Sequence, residues 1–199
     1  MEATLSTFKT ERREALYKAA IKVLARSGYR HARIEDVALE ADMSKGNIYF
    51  YVAGKEDLFS NAVDWLLNQW HEAITAGIPQ TATAKTRMKT MSQNSYEFLH
   101  EHNELVQILK ANPTILSVDP ESNYYSTIGS KARAHVRSAV EQGIASGEFK
   151  ASLDIEATTE FLFTTQLLYL AESFVLDDDR AYKFFSTGIE ITLDGITAC

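Results

Sequence analysis

The side chains best suited to chemistry lie in one short run, Ser44-Lys45-Gly46-Asn47-Ile48-Tyr49-Phe50-Tyr51. Lys45 and Asn47 are of the types that read guanine and adenine edges, while Tyr49 and Tyr51 can hydrogen-bond phosphates. Ser44 can cap a helix that starts at Lys45 by accepting from the backbone N–H of Asn47. A short helix that contains Gly46 is marginal alone, because glycine costs about 0.8–1.0 kcal/mol relative to alanine. A helix with only a structural duty gains nothing from this glycine, whereas one that must lie close to DNA does. A second arrangement, Glu97-x-x-His100, has the spacing of a carboxylate-bridged metal motif. It needs a partner motif on another helix and has none in the sequence, so a solvated charged face with Glu101 and Glu104 is the better account. A phosphate-binding glycine loop, a G-x-S-x-G elbow and an H-E-x-x-H pair are all missing, which argues against an enzyme and calls for no cofactor.

The run must be positioned by helices. Phe8–Ser27 places Leu16, Ala20, Val23 and Leu24 on one face, and Gly28 stops it. Ile34–Ala41 turns Ile34, Val37, Ala38 and Ala41 inward, and Asp42-Met43 leaves room only for a tight turn before Ser44. Helix, turn and short helix is the layout in which one helix braces across a phosphate backbone and the next enters the major groove. Helix-turn-helix patterns also occur in all-α proteins that never meet DNA, so spacing alone does not decide. The rest of the chain continues as longer helices: about Lys55–Ala76, Thr83–His100, Glu104–Ala111, Asn123–Ser146, Ile155–Phe174 and Asp179–Thr197.

Composition agrees with an all-α globular protein: 24 alanines against nine glycines and three prolines in 199 residues. The net charge of −7 is unevenly spread, with residues 1–60 at +1 and residues 61–199 at −8. That fits a head that meets polyanions and an acidic body that does not. Cys199 is the only cysteine, which excludes a disulfide framework. The start lacks the basic-then-apolar order of a signal peptide. The most apolar stretch, 161–176, is broken by Thr164, Thr165, Gln166 and Glu172 and is too short and polar to span a bilayer. A cytoplasmic location with no membrane partner is expected.

From Arg12 to Leu58 the sequence resembles the N-terminal domain of the TetR (tetracycline-repressor-like) regulators. The resemblance is carried by Ala19-Ala20-Ile21 leading to Arg26-Ser27-Gly28-Tyr29, by Ile34-Glu35-Asp36-Val37-Ala38, by Ser44 to Tyr49, and by Lys55-Glu56-Asp57-Leu58. Three departures stand out. Ala32 replaces the threonine that commonly caps the second helix, Asp42 replaces the turn glycine, and Val52 replaces a phenylalanine. Asp tolerates left-handed backbone, so the turn is expected to survive. The resemblance implies a three-helix DNA-binding domain over residues 1–54 and a helical effector-binding and dimerisation domain over 55–199. It implies that Lys45, Asn47 and Tyr49 face the groove or its flanking phosphates, that Ser44 and Lys55 contact backbone at helix starts, and that Arg33 reaches a phosphate; Tyr51 joins this set.

The body is rich in aromatic residues and methionine. At helical spacing such residues are more often core than ligand site. Because the resemblance implies an effector cavity, Trp65, Met88, Met91, Tyr96, Phe161, Thr165 and Tyr169 are its candidate lining. Phe161, Thr165 and Tyr169 share one face, which could equally serve a helix–helix interface. The last two helices are apolar on more than one face, which calls for burial on all sides. For them the resemblance implies a four-helix dimer interface, with Leu162, Leu167, Leu170, Phe185, Ile189 and Leu193 as candidates.

The function expected is a homodimeric regulator, a repressor that binds a palindromic double-stranded operator and is released by a small, largely hydrophobic effector. The alternatives are an all-α ligand-binding or carboxylate-metal protein with an incidental helix-turn-helix, and a DNA-binding dimer whose body is filled.

Overall fold

A computed structural model of the chain describes residues 2–111, 130–176 and 179–198. Among these it contains nine helices: α1 (Glu2–His31), α2 (Ile34–Glu40), α3 (Lys45–Ile48), α4 (Lys55–Thr75), α5 (Ala84–Glu101), α6 (Asn103–Ala111), α7 (Ser130–Ala145), α8 (Ile155–Leu176) and α9 (Asp179–Ile196). The predicted start of the seventh helix at Asn123 lies outside the described residues. No described helix is long and apolar enough to cross a membrane.

The chain forms two compact units, and the first does not end at residue 54. It runs through Gln69 and takes in residues 102–111. The two short helices α2 and α3 do not cover α1 by themselves. Leu16, Ala20, Val23 and Leu24 of α1 are buried with Val37, Ile48, Leu58, Ala62 and Leu66. α6 packs directly on α1 and is buried along Leu105, Val106, Ile108 and Leu109. Gly28 leaves helical geometry (φ 66°, ψ 160°), a left-handed φ that favours glycine, and so kinks α1 where the sequence predicts a stop. Trp65, a candidate cavity residue, belongs to this first unit. It is half-buried against Tyr17, with ring centroids 6.3 Å apart.

The second unit comprises residues 70–101, 130–176 and 179–198 among those described. α8 packs against α7 and α9, and α5 packs against the same two helices. Met88 and Met91 are buried here, while Tyr96 is half-buried in a cluster of aromatic rings with Phe174, Tyr182 and Phe185. The Glu148 carboxylate accepts from the backbone N–H groups of Ala84 (2.7 Å) and Lys85 (3.1 Å), capping α5 from a distant part of the chain. Lys85 also pairs with Asp194, and the Lys150 ammonium donates to the Gly195 carbonyl at 2.7 Å, tying the end of α9 to the same corner.

Burial on α8 and α9 does not follow the expected roles of their residues. Leu162, Leu170, Phe185, Ile189 and Leu193, expected at a subunit interface, are buried inside the single chain, and Leu167 is half-buried. Phe161 and Tyr169, expected to line a cavity, are exposed, and Thr165 between them is half-buried. The physical reason lies in the sequence of α8. Its apolar residues surround the helix, so periodicity cannot say which stripe faces the core. Phe161, Thr165, Leu168 and Tyr169 follow i, i+4, i+7, i+8 and make one outward stripe. Phe184 and Ile191 form its counterpart on α9. The two stripes adjoin, because the Tyr169 ring lies 3.8 Å from where a Cβ on Gly188 would stand.

Candidate nucleic-acid interface

The turn between α2 and α3 is set by Asp42, which adopts φ 51° in place of a glycine. The Met43 N–H then donates to the Ala38 carbonyl at 2.9 Å and closes the turn. Ser44 is the N-cap of α3, and its Oγ accepts from the Asn47 N–H at 3.2 Å, as the sequence predicts. α2 has no comparable device. Its N-cap is Arg33, whose side chain makes no capping hydrogen bond, and Ala32, where a threonine is common, lies one residue before that position. Ala32 is instead fully buried, and Val52 fills the place of the usual phenylalanine at 5% exposure.

α3 is only four residues long, and Ile48 is its anchor, fully buried in the core of the first unit. Around that anchor Lys45, Gly46, Asn47, Tyr49 and Phe50 are all exposed, and Tyr51 is half-buried. Tyr49 is 48% exposed and is not a core residue. A Cβ on Gly46 would meet only Ser44 Oγ, at 3.9 Å, an ordinary contact. The fold of the chain therefore does not need glycine at this position.

Two cations of the set have defined partners. Lys45 Nζ lies 2.6 Å from Glu35 Oε1 across the helix-turn-helix. The hydrogen bond from Lys45 holds the Glu35 carboxyl below its ordinary range, and the hydrogen bond to Glu35 holds the Lys45 ammonium above its own. Lys55, half-buried at the start of α4, donates to the Arg30 carbonyl at 3.4 Å and sits 4.8 Å over the Tyr29 ring. Tyr29 in turn meets Phe59 edge-on at 6.0 Å. Asp57 accepts from the Ala53 N–H at 2.7 Å and steadies the entry to α4. Arg33 is exposed at the head of α2.

The structure thus gathers Ser44, Lys45, Asn47 and Tyr49 on and beside α3, with Tyr51 and Lys55 following, while Arg33 stands at the start of α2. Sequence reasoning does not single out Glu35 or Phe50. Glu35 lacks a local signal because its partner is ten residues away, and Phe50, 82% exposed, reads as apolar filler in the sequence. The Glu97-x-x-His100 pair shows no metal geometry. Glu97 accepts from Gln93 at 2.8 Å, His100 stacks on Tyr96, and no three His, Cys, Asp or Glu side chains among the described residues could hold a metal together.

Comparison with known proteins adds four findings. Residues 16–62 match the model of a family described as bacterial regulatory proteins, tetR family. The chain is 27% identical over 150 residues to the fatty acid metabolism regulator protein of Bacillus subtilis, across 74% of this chain and 75% of that one. It is 25% identical over 198 residues to the transcriptional repressor KstR2 of Rhodococcus jostii, across 96% of this chain and 93% of that one. Among solved structures, the regulator FadR from Bacillus subtilis in complex with stearoyl-CoA shares the fold, with a TM-score of 0.75 at 23% identity, covering 92% of this chain and 98% of that one.

Proposed function

We propose that this chain, a member of the TetR family of transcriptional regulators, is a cytoplasmic repressor that binds a palindromic operator as a homodimer and is released by a small, largely hydrophobic effector. The observation that carries the reading is α3 itself, a capped helix whose single buried residue holds polar, base-reading side chain types outward. In this reading Asn47 reads a base edge and Lys45 a guanine edge. Ser44, Tyr49, Tyr51, Lys55 and Arg33 contact phosphates and set the register, as most protein–DNA hydrogen bonds do. The outward stripes of α8 and α9 pair with those of a second copy. Such a partner covers a contiguous apolar surface that water would otherwise meet, and two-fold symmetry matches a palindrome.

Gly46→Ala separates the two duties of α3. In the free protein the methyl group meets no obstacle and removes a helix penalty of about 0.8–1.0 kcal/mol, so thermal stability is expected to hold or rise. Against DNA the same methyl overpacks the interface and is expected to cost about 1–3 kcal/mol of binding. Equal affinity of the variant and the parent for duplex DNA would place α3 away from the groove.

The effector belongs to the second unit, where Met88, Met91, Tyr96 and Thr165 remain candidate contacts. Support for an apolar effector comes from the relatives, one named for fatty acid metabolism and one solved with stearoyl-CoA. Release needs only about 1–3 kcal/mol of coupling between sites. Stearoyl-CoA, a free fatty acid and a steroid, titrated separately into the protein–operator complex and followed by fluorescence anisotropy, test this directly. Release by one of them at micromolar concentration, with no effect of coenzyme A alone, supports the reading. Direct calorimetric titration that finds none of them bound by the protein would remove a hydrophobic effector from it.

A further inference from the structure

We propose that Glu35 is a specificity-determining residue of the DNA-reading face, occupying Lys45 on non-cognate DNA and yielding it only where a base edge takes the carboxylate's place. The inference rests on the operator-binding reading above and deepens it. Glu35 lies in the first turn of α2 and Lys45 is the first residue of α3, so their 2.6 Å contact is made across the helix-turn-helix and not along one helix. Each side chain is more than half exposed, so solvent screens the pair and it can exchange for another partner. Arg33 bears electrostatically on Glu35, and Tyr49 is exposed four residues on from Lys45, so a carboxylate stands on a face whose other side chains are expected to meet DNA.

A carboxylate there has a defined consequence. Non-specific binding grows with the number of phosphates that cations neutralise. A lysine already matched by its own carboxylate contributes little to that count. At a cognate site Lys45 can instead donate to guanine O6 and N7, a directional contact that random sequence does not offer in register. The pair therefore suppresses the sequence-independent part of binding more than the sequence-dependent part. Helix-dipole stabilisation does not by itself require Glu35, since Asp36 stands in the same first turn.

The test uses the full chain in four forms, parent, Glu35→Gln, Lys45→Ala and the double variant, on the selected operator duplex and on a duplex of unrelated sequence. Binding is measured between 50 and 300 mM salt. Glu35→Gln is expected to bind unrelated DNA about fivefold more tightly at 0.15 M salt, with a log–log salt slope steeper by about 0.9. Operator affinity rises less, so the ratio of the two falls, and with Lys45→Ala in place the Glu35→Gln effect shrinks below twofold. An unchanged affinity and slope on unrelated DNA overturns the proposal, as does an effect that persists in full without Lys45. A fall in melting temperature with no change in slope would make Glu35 a structural staple and would also overturn it. A parent protein that selects no operator ends both this inference and the reading beneath it. An operator with an unchanged ratio in Glu35→Gln ends this inference alone.

Discussion

Replacing Asn47 by alanine is expected to erase the preference for one base pair in each half-site while leaving much of the affinity for unrelated DNA. Asn47 is exposed on α3, and its backbone N–H, not its side chain, serves the Ser44 cap. The variant therefore keeps the helix and loses only the amide that can pair with adenine N6 and N7. One good bidentate contact is worth about 1–3 kcal/mol, or about 5- to 150-fold in discrimination per half-site. A symmetric dimer loses it twice. Competition between operators that differ at single positions, measured for parent and variant, reads the change position by position. If Asn47→Ala kept the parent's full preference at every position, base reading would have to be assigned elsewhere on the face.

The second large effect is expected at the other end of the chain. Ile191 and Leu168 are 68% and 65% exposed on the outward stripes of α9 and α8. Glutamate at either position stays in water in a single chain, where surface substitutions change stability by about 0.5 kcal/mol or less. In a dimer the same charge is buried against its symmetry mate without a counter-ion. The double variant Leu168→Glu/Ile191→Glu is expected to sediment as a monomer with an unchanged circular dichroism spectrum. It should lose about 10²–10⁴-fold in operator affinity, the gain that two linked half-site contacts supply. A variant that still sediments as a dimer and keeps full operator affinity would move the interface off these helices.

Much of the head is legible in the sequence because its determinants are local. Ser44 caps α3 three residues ahead of Asn47, and Asp42 takes the left-handed turn. Each of these is a statement about neighbours within four residues. The ends of α4 to α6, α8 and α9 follow for the same reason, being marked by glycine, proline and changes of period. What the sequence does not reveal depends on distant partners. α8 is apolar all round, so its amino acids alone cannot say that Leu162 and Leu170 face inward while Phe161 and Leu168 face out. Trp65 reads as body by its position after residue 54, yet it packs on Tyr17, because the first unit draws on α4 and α6 to cover α1. The Glu35–Lys45 pair joins two helices through a turn, and neither residue announces the other.

The central claim is that α3 is a sequence reader presented twice by a two-fold dimer. Selection of bound fragments from random duplex DNA by the full-length protein tests it most directly. The account predicts an inverted repeat whose half-site centres lie about 34–36 Å apart, or a multiple of that spacing. It also predicts that the repeat loses its preference at one position in each half-site when the selection is repeated with Asn47→Ala. Salt-sensitive retention of DNA with no consensus would contradict it, leaving the basic head a purely electrostatic surface.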